Sequence, residues 1–376
     1  MIYLDNAATT KPCEAAVKAM IQAAEEFGNP SSLHGLGLRA EKLIGAAKET
    51  LAGMLGGDKK NIYFTSGGTE ANNLAVLGTA HRLAKQGRRV ITSKIEHPSV
   101  LEAVKRLGEE GFDVVFADVL PDGRVDIEKL KEQLTEDTIL VSIMHVNNET
   151  GVIQPIEEIA AAVHERCPKA IFHSDCVQSF GKVPINLRTL NVDMVTISAH
   201  KIHGFKGCGA LYMKNPRVTP ILYGGEQQNE IRPGTENVGG ILAFAAAAEK
   251  CGCDMEGLRV KRDLMKSELA KRLDFISFNG SDEHNAGSVL NVSFNGIKAE
   301  ILLHSLERHE IYVSTGSACS SHKPQPSHVL TAMGAAKPAI TGAVRISFSE
   351  KTTNEEIIEA AEKIASEAAM IKKYMR

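Results

Sequence analysis

The chain has 376 residues, a formal net charge of −3 and no tryptophan, and this length allows a large core and more than one domain. The charge is not that of a general nucleic-acid-binding surface, and no apolar run is long enough to span a bilayer. The N-terminus lacks a signal-peptide layout, so we expect a cytoplasmic protein without a membrane contact. The seven cysteines are odd in number and scattered, which predicts neither a disulfide framework nor a metal site.

Strand-like and helix-like segments alternate through the first two thirds of the chain. The strand-like runs are 61–65, 89–92, 114–116, 139–143, 170–173, 194–198 and 209–213. The helix-like segments are 69–86, 97–110, 127–133 and 156–165. The strand-like runs are apolar throughout, which is typical of strands buried on both faces of a mainly parallel sheet covered by helices. The pattern predicts an α/β fold.

The pattern changes after about residue 253. Its predicted elements are a long charged helix, two short strands and a final helix, at 255–272, 288–293, 343–347 and 354–374. These elements indicate a smaller α+β domain, and we expect the N-terminal arm to pack with it. We therefore predict a large domain over residues 13–255 and a small domain formed by residues 1–12 and 256–376.

Polar residues follow several of the predicted strands. Thr69 begins a helix after two glycines, where free N–H groups and the helix dipole attract a phosphate; an ordinary glycine turn with a helix cap explains the segment equally well. Asp175 ends another strand, where a carboxylate can pair with the protonated pyridine nitrogen of pyridoxal phosphate. Gln178 lies three residues on and can reach a ring oxygen. A helix cap is the alternative for Asp175.

Lys201 follows the strand that ends at Ser198, so it is expected at the same sheet edge. An amine becomes a nucleophile when burial or a neighbour such as His200 lowers its pKa, whereas most lysines are solvated surface charges. His97 opens a helix after a strand and can stack on a planar ring or move a proton. A solvated turn histidine is the alternative for His97.

Cys319 lies among small residues, and His322 and Lys323 nearby favour its thiolate. A loop cysteine without a role is the alternative. An amine that forms a Schiff base and a thiol that accepts an atom together indicate removal of sulfur from an amino acid on pyridoxal phosphate. Arg345, in a C-terminal strand, suits bidentate capture of an amino-acid carboxylate, or an interface ion pair.

Taken together, these segments resemble the cysteine desulfurases of the NifS/IscS type, in the class V branch of fold-type I pyridoxal phosphate enzymes. The matching segments are 3–10 (YLDNAATT), 28–34 (GNPSSLH), 65–73 (TSGGTEANN), 96–97, 147–151 (NNETG), 175–178 (DCVQ), 198–204 (SAHKIHG), 316–319 (GSAC) and Arg345. The resemblance covers essentially the whole chain. It implies a large domain with a mainly parallel seven-stranded sheet and a smaller domain that carries the cysteine loop.

The resemblance also implies how the cofactor is held. Lys201 binds pyridoxal phosphate covalently and moves protons, His97 stacks on the ring, and Asp175 pairs with the pyridine nitrogen. Gln178 and Asn148 contact the ring hydroxyl oxygen. The residues that bind the phosphate are Gly68, Thr69, Ser198 and His200, with Thr235 reaching it from the partner subunit of a homodimer.

The same resemblance implies the roles of the substrate side. Arg345 and Asn148 hold the carboxylate of L-cysteine. Cys319 attacks the substrate sulfur and becomes a persulfide, and alanine leaves. The sulfur then passes to an acceptor protein, either an iron–sulfur scaffold or a tRNA 4-thiouridylation enzyme.

Two segments depart from the family pattern. Residues 224–230 read GGEQQNE instead of the common Gly-Gly-Gly-Gln-Glu-Arg-Gly, and residues 320–327 read SSHKPQPS instead of Thr-Ser-Ala-Ser-Leu-Glu-Pro-Ser. The second departure makes a dedicated tRNA role plausible. Selenocysteine lyase and class V aminotransferase activity are the alternatives; a transaminase needs no second nucleophile such as Cys319. A non-enzymatic sulfur-relay protein is disfavoured by the intact Lys201, Asp175 and His97.

Overall fold

The computed structural model describes residues 1–315 and 326–375. Its strands are β1 (Ile2–Tyr3), β2 (Ile62–Thr65), β3 (Arg89–Ser93), β4 (Asp113–Ala117), β5 (Thr138–Ser142), β6 (Ile171–Asp175), β7 (Met194–Ser198), β8 (Gly209–Met213), β9 (Ile276–Asn279), β10 (Val289–Phe294), β11 (Ile311–Tyr312), β12 (Ser314–Thr315) and β13 (Ala343–Ser347). The large sheet has seven strands in the order β2-β8-β7-β6-β5-β3-β4. Strand β8 is antiparallel to both neighbours, and the other pairs are parallel. The predicted α/β fold with a mainly parallel sheet is confirmed.

Helices cover both faces of this sheet, and further helices near the end of the chain pack in a separate apolar cluster. They are α1 (Glu14–Glu25), α2 (Gly35–Leu55), α3 (Gly68–Asn73), α4 (Thr79–Leu83), α5 (Pro98–Glu109), α6 (Ile127–Gln133), α7 (Ile156–Arg166), α8 (Leu187–Leu190), α9 (Val238–Ala248), α10 (Met255–Arg272), α11 (Ala299–Glu307), α12 (His328–Ala332), α13 (Lys337–Thr341) and α14 (Asn354–Tyr374). A π-helical turn, Leu74–Gly78, joins α3 to α4, so the predicted helix over 69–86 is one helical stretch with a local irregularity. In the parts of the chain that the structure describes, no helix is both long and apolar enough to cross a membrane.

Helices α1, α2 and α9 were not predicted from the sequence. Helix α9 is apolar on nearly every side and so gives no helical period to detect. It packs against α1 and α2, and this packing explains why its polar face is missing.

Alternate residues of the central strands face opposite sides of the sheet. In β6, Phe172 belongs to one apolar cluster and Ile171 to another, and both are at most 5 % exposed. Because both faces are covered, the edge formed by the carboxyl ends of the strands is where polar side chains can gather.

The remaining strands form a second, antiparallel sheet in the order β12-β13-β10-β9 and a parallel pair of β1 with β11. Leu4 of the N-terminal arm is fully buried in the same apolar cluster as Phe348 and residues of α10 and α14. Thr353 and Glu356 form a capping box that starts α14. The arm therefore contacts the elements of the expected small domain, while the domain boundaries stay a prediction.

Candidate active site

A pocket of about 260 Å³ opens at the carboxyl ends of the central strands. Asp175 is the last residue of β6 and Ser198 is the last residue of β7. The predicted cofactor residues that line this active-site pocket are Gly68, Thr69, His97, Asn148, Asp175, Gln178, Ser198, His200 and Lys201. Residues far apart in sequence are thus brought together as expected. Thr235, predicted to act from a partner subunit, is exposed and does not line the pocket.

Asp175 is fixed in the pocket by two hydrogen bonds. Its Oδ2 accepts from Asn72 Nδ2 at 2.7 Å, and its Oδ1 accepts from the backbone N of Val177 at 2.9 Å. The side chain is 4 % exposed. The carboxylate is therefore held rigidly while it lines a polar cavity, as a partner of a protonated ring nitrogen must be.

His97 is the N-cap of α5, with Pro98 in the first turn. Its Nδ1 accepts from the backbone N of Ser99 at 3.2 Å and lies 2.8 Å from Ser99 Oγ. This contact leaves the proton of the neutral ring on Nε2. Burial lowers the pKa of His97, with Asp175 opposing the shift and Lys201 adding to it. The ring is thus neutral at neutral pH and can stack on an aromatic ring or carry a proton.

Lys201 ends the short 3₁₀ turn that follows β7. Its Nζ donates to the backbone oxygens of Ala7 and Ala8 at 2.6 and 2.7 Å. The N-terminal arm therefore forms one wall of the pocket and fixes the amine there. Gln178 contacts the same arm, because its Nε2 donates to Ala7 O at 3.0 Å. Sequence reasoning assigned no site role to these arm contacts.

Three buried polar atoms of pocket-lining residues have no hydrogen-bond partner among the described residues: Asn72 Oδ1, Gln178 Oε1 and Ser198 Oγ. Buried polar atoms are rarely left unpaired, so such atoms indicate a missing ligand or water. Nearby, a Cβ at Gly68 would lie 2.9 Å from Val177 Cγ2, so a larger residue there would require the Val177 side chain to shift. His200 Nδ1 lies 3.2 Å from Thr9 Oγ1, and burial lowers the pKa of His200 to about 4, which keeps its ring neutral.

Arg345 lies beside the pocket on β13 and is 4 % exposed. Its Nη2 donates to Asp5 Oδ1 at 2.9 Å, and its Nη1 donates to the backbone oxygen of Asn148 at 3.1 Å. Its Nε is buried without a partner among the described residues. The guanidinium is thus fixed next to Asn148 by its ion pair with Asp5, and its predicted role in binding the substrate carboxylate stays a prediction. No motif or spacing in the sequence indicated Asp5 as its partner.

Cys319 and the neighbouring residues from 316 to 325 lie outside the described residues. The residues on either side of this segment contact residues in or next to the active-site pocket. Ser314 of β12 pairs with Arg345, and Ser327 Oγ donates to Glu149 Oε2 at 2.5 Å. His328 Nε2 contacts the backbone oxygen of Glu96 at 2.9 Å.

Glu96 and Glu149 are buried carboxyl groups next in sequence to His97 and Asn148. Glu96 Oε1 accepts from Ser93 Oγ at 2.5 Å and from Met144 N at 3.0 Å, and burial raises the pKa of Glu96 to about 8. Burial also raises the pKa of Glu149. Sequence reasoning missed both as structural supports of the site, because burial of a glutamate leaves no local signal in a sequence.

The unusual stretch 224–230 closes the open edge of the large sheet. Gln228 Oε1 accepts from Phe64 N at 2.6 Å, and its Nε2 donates to Phe64 O at 2.9 Å. Gln228, Asn229 and Glu230 all have positive φ angles of 49–61°, a strained conformation for residues with a Cβ. The side-chain amide replaces a neighbouring strand at β2. Arg232, just beyond, pairs with Glu70 of α3 at 2.7 Å.

The family description Aminotransferase class-V matches residues 2–359. The chain belongs to the class-V aminotransferase family. Within this family it is 40 % identical to the cysteine desulfurase IscS of Dictyoglomus turgidum, over 99 % of this chain and 96 % of that protein. A solved NifS-like protein superimposes with a TM-score of 0.92 at 36 % identity, covering 98 % of this chain and 99 % of the other. A structure described as SspA in complex with cysteine has a TM-score of 0.82 at 32 % identity, covering 93 % and 99 %. Within the class-V aminotransferases, this chain is therefore a member of the NifS/IscS cysteine desulfurases.

Proposed function

We propose that this protein is a cysteine desulfurase that converts L-cysteine to L-alanine and retains the sulfur as a persulfide on Cys319. The observation that carries the proposal is the pocket that joins Lys201, Asp175 and His97, with Arg345 at its side. The reaction balances without an outside oxidant, because a thiol and L-cysteine give a persulfide and L-alanine. One S–S bond forms, one C–S bond breaks, and the carbon that loses sulfur gains a proton.

We infer that pyridoxal 5'-phosphate is the cofactor, since the residues of the pocket fit it. Asp175 would pair with its ring nitrogen, and His97 would lie against its ring. The unpartnered Gln178 Oε1 and Ser198 Oγ suit its ring oxygen and phosphate. When bound, the cofactor supplies an electron sink that weakens bonds at the substrate α-carbon.

Different side chains bind the substrate, transfer protons and accept its sulfur. Arg345 binds its carboxylate in a fixed direction. Lys201 and His97 hold and move protons at Nζ and Nε2, where their contacts place them. The Cys319 thiolate attacks the substrate sulfur.

We further propose a homodimer in which Thr235 completes the phosphate site of the partner subunit. Three large apolar side chains are strongly exposed: Phe27 (77 %), Leu33 (93 %) and Tyr223 (85 %). Exposed apolar residues of this size are typical of interaction surfaces. The acceptor of the persulfide sulfur is proposed to be an iron–sulfur scaffold or a tRNA 4-thiouridylation enzyme.

The test is alanine release from L-cysteine by the purified protein with pyridoxal phosphate and a thiol reductant. Wild type is expected to release alanine. Cys319→Ala is expected to lose this activity while it still binds the cofactor, because only the thiol that accepts the substrate sulfur is missing. Lys201→Ala should lose the activity as well. Cys253→Ala is the matched control and should behave as wild type. Normal turnover by Cys319→Ala would contradict the persulfide role, and turnover of L-selenocysteine alone would contradict the proposed substrate.

A further inference from the structure

Lys201 also lines a second, smaller cavity, whose other described lining residues differ from those of the active-site pocket. Its volume is about 30 Å³. It lies between residues that follow the large sheet and residues next to the small sheet: Gly181, Lys182, Ile202, Cys251, Leu258 and Phe348. We call it the Lys182 cavity. A cavity needs a volume of at least about 10–15 Å³ to hold a water molecule, so this cavity has room for one or two occupants of that size.

Lys182 supplies the main charge at the buried side of this cavity. The residue is 9 % exposed. No hydrogen bond or ion pair joins its ammonium group to any residue in the described parts of the chain. Gly181 before it allows this close packing, because a Cβ there would lie 3.0 Å from Cys251 Sγ and its φ is +72°. A buried ammonium without a partner is costly, since it loses its hydration and gains no compensating charge.

The neighbouring groups do not neutralise this ammonium. Burial raises the pKa of Cys251 to about 12, so its side chain is a neutral thiol. Asp254 and Glu350 line the cavity but are exposed, and Asp254 Oδ1 already accepts from Gly257 N at 2.8 Å. The other charged groups nearby, Lys201 and Arg345, are also cationic.

The protonation states of His203 and of Lys182 itself give the cavity a positive charge. His203 also lines it, and burial lowers the pKa of His203, so its ring is neutral. Burial lowers the pKa of Lys182 to about 8, with Arg345 adding to the shift. Lys182 is thus mostly charged at pH 7, and the buried part of the cavity carries a positive charge without a counter-charge.

We propose that the Lys182 cavity binds a monovalent anion of the size of chloride. The ammonium of Lys182 provides the charge, and a volume of about 30 Å³ suits a small monovalent anion better than phosphate or a carboxylate. Lys182 also contributes to the lowered pKa of His200 in the active-site pocket. A bound anion would therefore offset part of the positive charge that the predicted phosphate-binding residue experiences.

The first measurement is anomalous diffraction from a crystal of the full chain, loaded with pyridoxal phosphate and soaked in sodium bromide. We expect a bromide peak within about 3.5 Å of Lys182 Nζ, a contact distance between an ammonium and a halide. This measurement uses wild-type protein only, so it does not depend on the folding of a variant. The absence of a peak there would show that water alone fills the cavity and would overturn the proposal.

The second measurement is the melting temperature in sodium chloride and in sodium gluconate at equal ionic strength. Wild type should melt about 2–4 °C higher in chloride, because a ligand that binds only the folded state stabilises it. Lys182→Met should lose this difference, and Lys214→Met, at an exposed lysine, should keep it. An equal difference in Lys182→Met, or a bromide peak without a chloride effect in solution, would mean an adventitious ion only and would overturn the proposal. Neither of these two measurements follows desulfuration, so the test of anion binding is independent of the proposed function.

Discussion

At the scale of single residues, the site depends on side chains that hold other side chains. Asn72 illustrates this, since its Nδ2 lies 2.7 Å from Asp175 Oδ2 and 2.8 Å from Ser99 Oγ. It thus connects the carboxylate expected to pair with the ring nitrogen to the serine that orients His97. Asn72 follows Thr69 by three residues on the same helical stretch, a spacing that places both on one helix face.

Replacing Asn72 tests this support. Asn72→Ala should weaken the binding of pyridoxal phosphate about tenfold, because a hydrogen bond to a charged group contributes about 1.5–3 kcal/mol. The measurement is the dissociation constant of the cofactor, followed by absorbance. Asn73→Ala is the matched control, since Asn73 Nδ2 bonds only backbone oxygens. Equal affinities of the two variants would show that Asn72 does not support Asp175.

The buried Glu96 is expected to make the stability of the fold depend on pH. Its folded-state pKa is raised to about 8 by burial, so the folded chain holds a proton that the unfolded chain releases near pH 4.5. The stabilisation by the protonated form is complete below pH 4.5 and is lost as the pH rises to about 8. Glu96→Gln removes this dependence and keeps an oxygen that accepts from Ser93 Oγ and Met144 N.

The stability of Glu96→Gln relative to wild type should therefore increase between pH 4.5 and 8, by on the order of 1 kcal/mol for each pH unit. Above pH 8 the difference should be constant. The free energy of unfolding in urea, measured at several pH values, checks this. A difference that does not change with pH would contradict an ionisable Glu96.

At the scale of elements, short helices here are stabilised at their ends. Helix α12 has only five residues, and Ser327 is its N-cap, where Oγ accepts from Leu330 N at 3.1 Å. The same hydroxyl donates to the buried Glu149. This small element thus connects the chain after residue 325 to the edge of the active-site pocket.

Ser327→Ala should lower the free energy of unfolding by about 2 kcal/mol, since a helix cap contributes about 1 kcal/mol and a hydrogen bond to a carboxyl group contributes more. Thr353→Ala is the matched control, because Thr353 caps α14 at an exposed position. It should cost about 1 kcal/mol. Urea unfolding of both variants measures the difference, and equal losses would mean that the contact with Glu149 adds nothing.

At the scale of the whole molecule, buried histidines make the fold sensitive to acid. Burial lowers the pKa of His145 to about 4 and that of His173 to about 3. In the unfolded chain these rings bind protons near pH 6.5. The folded state is therefore destabilised as the pH falls from about 6.5 toward these values.

His145→Gln should reduce this loss between pH 6.5 and 4.5 by about 1–3 kcal/mol, because glutamine does not bind the proton. His304→Gln, at a histidine whose side chain is 73 % exposed, should leave the loss unchanged. The measurement is again urea unfolding at both pH values. A wild-type loss in His145→Gln would show that His145 is not the group that titrates.

The sequence by itself determined the layers and the positions of the strand ends. Fully apolar runs separated by helices favour a covered, mainly parallel sheet, and side chains that follow its parallel strands meet at one edge. For this reason Asp175 and Lys201 were expected at one sheet edge, while their roles followed from the resemblance of segments along the whole chain to the family. Their order along the chain, with His97 and Cys319, also led to the family.

Only the tertiary structure decided which groups support these residues. Arg345 is paired with Asp5, 340 positions away, and Lys201 is held by the backbone oxygens of Ala7 and Ala8. Gln228 completes a sheet edge more than 160 residues away. Such contacts leave no period or motif in a sequence, because they depend on where separate elements pack and on which polar atoms burial leaves to be paired.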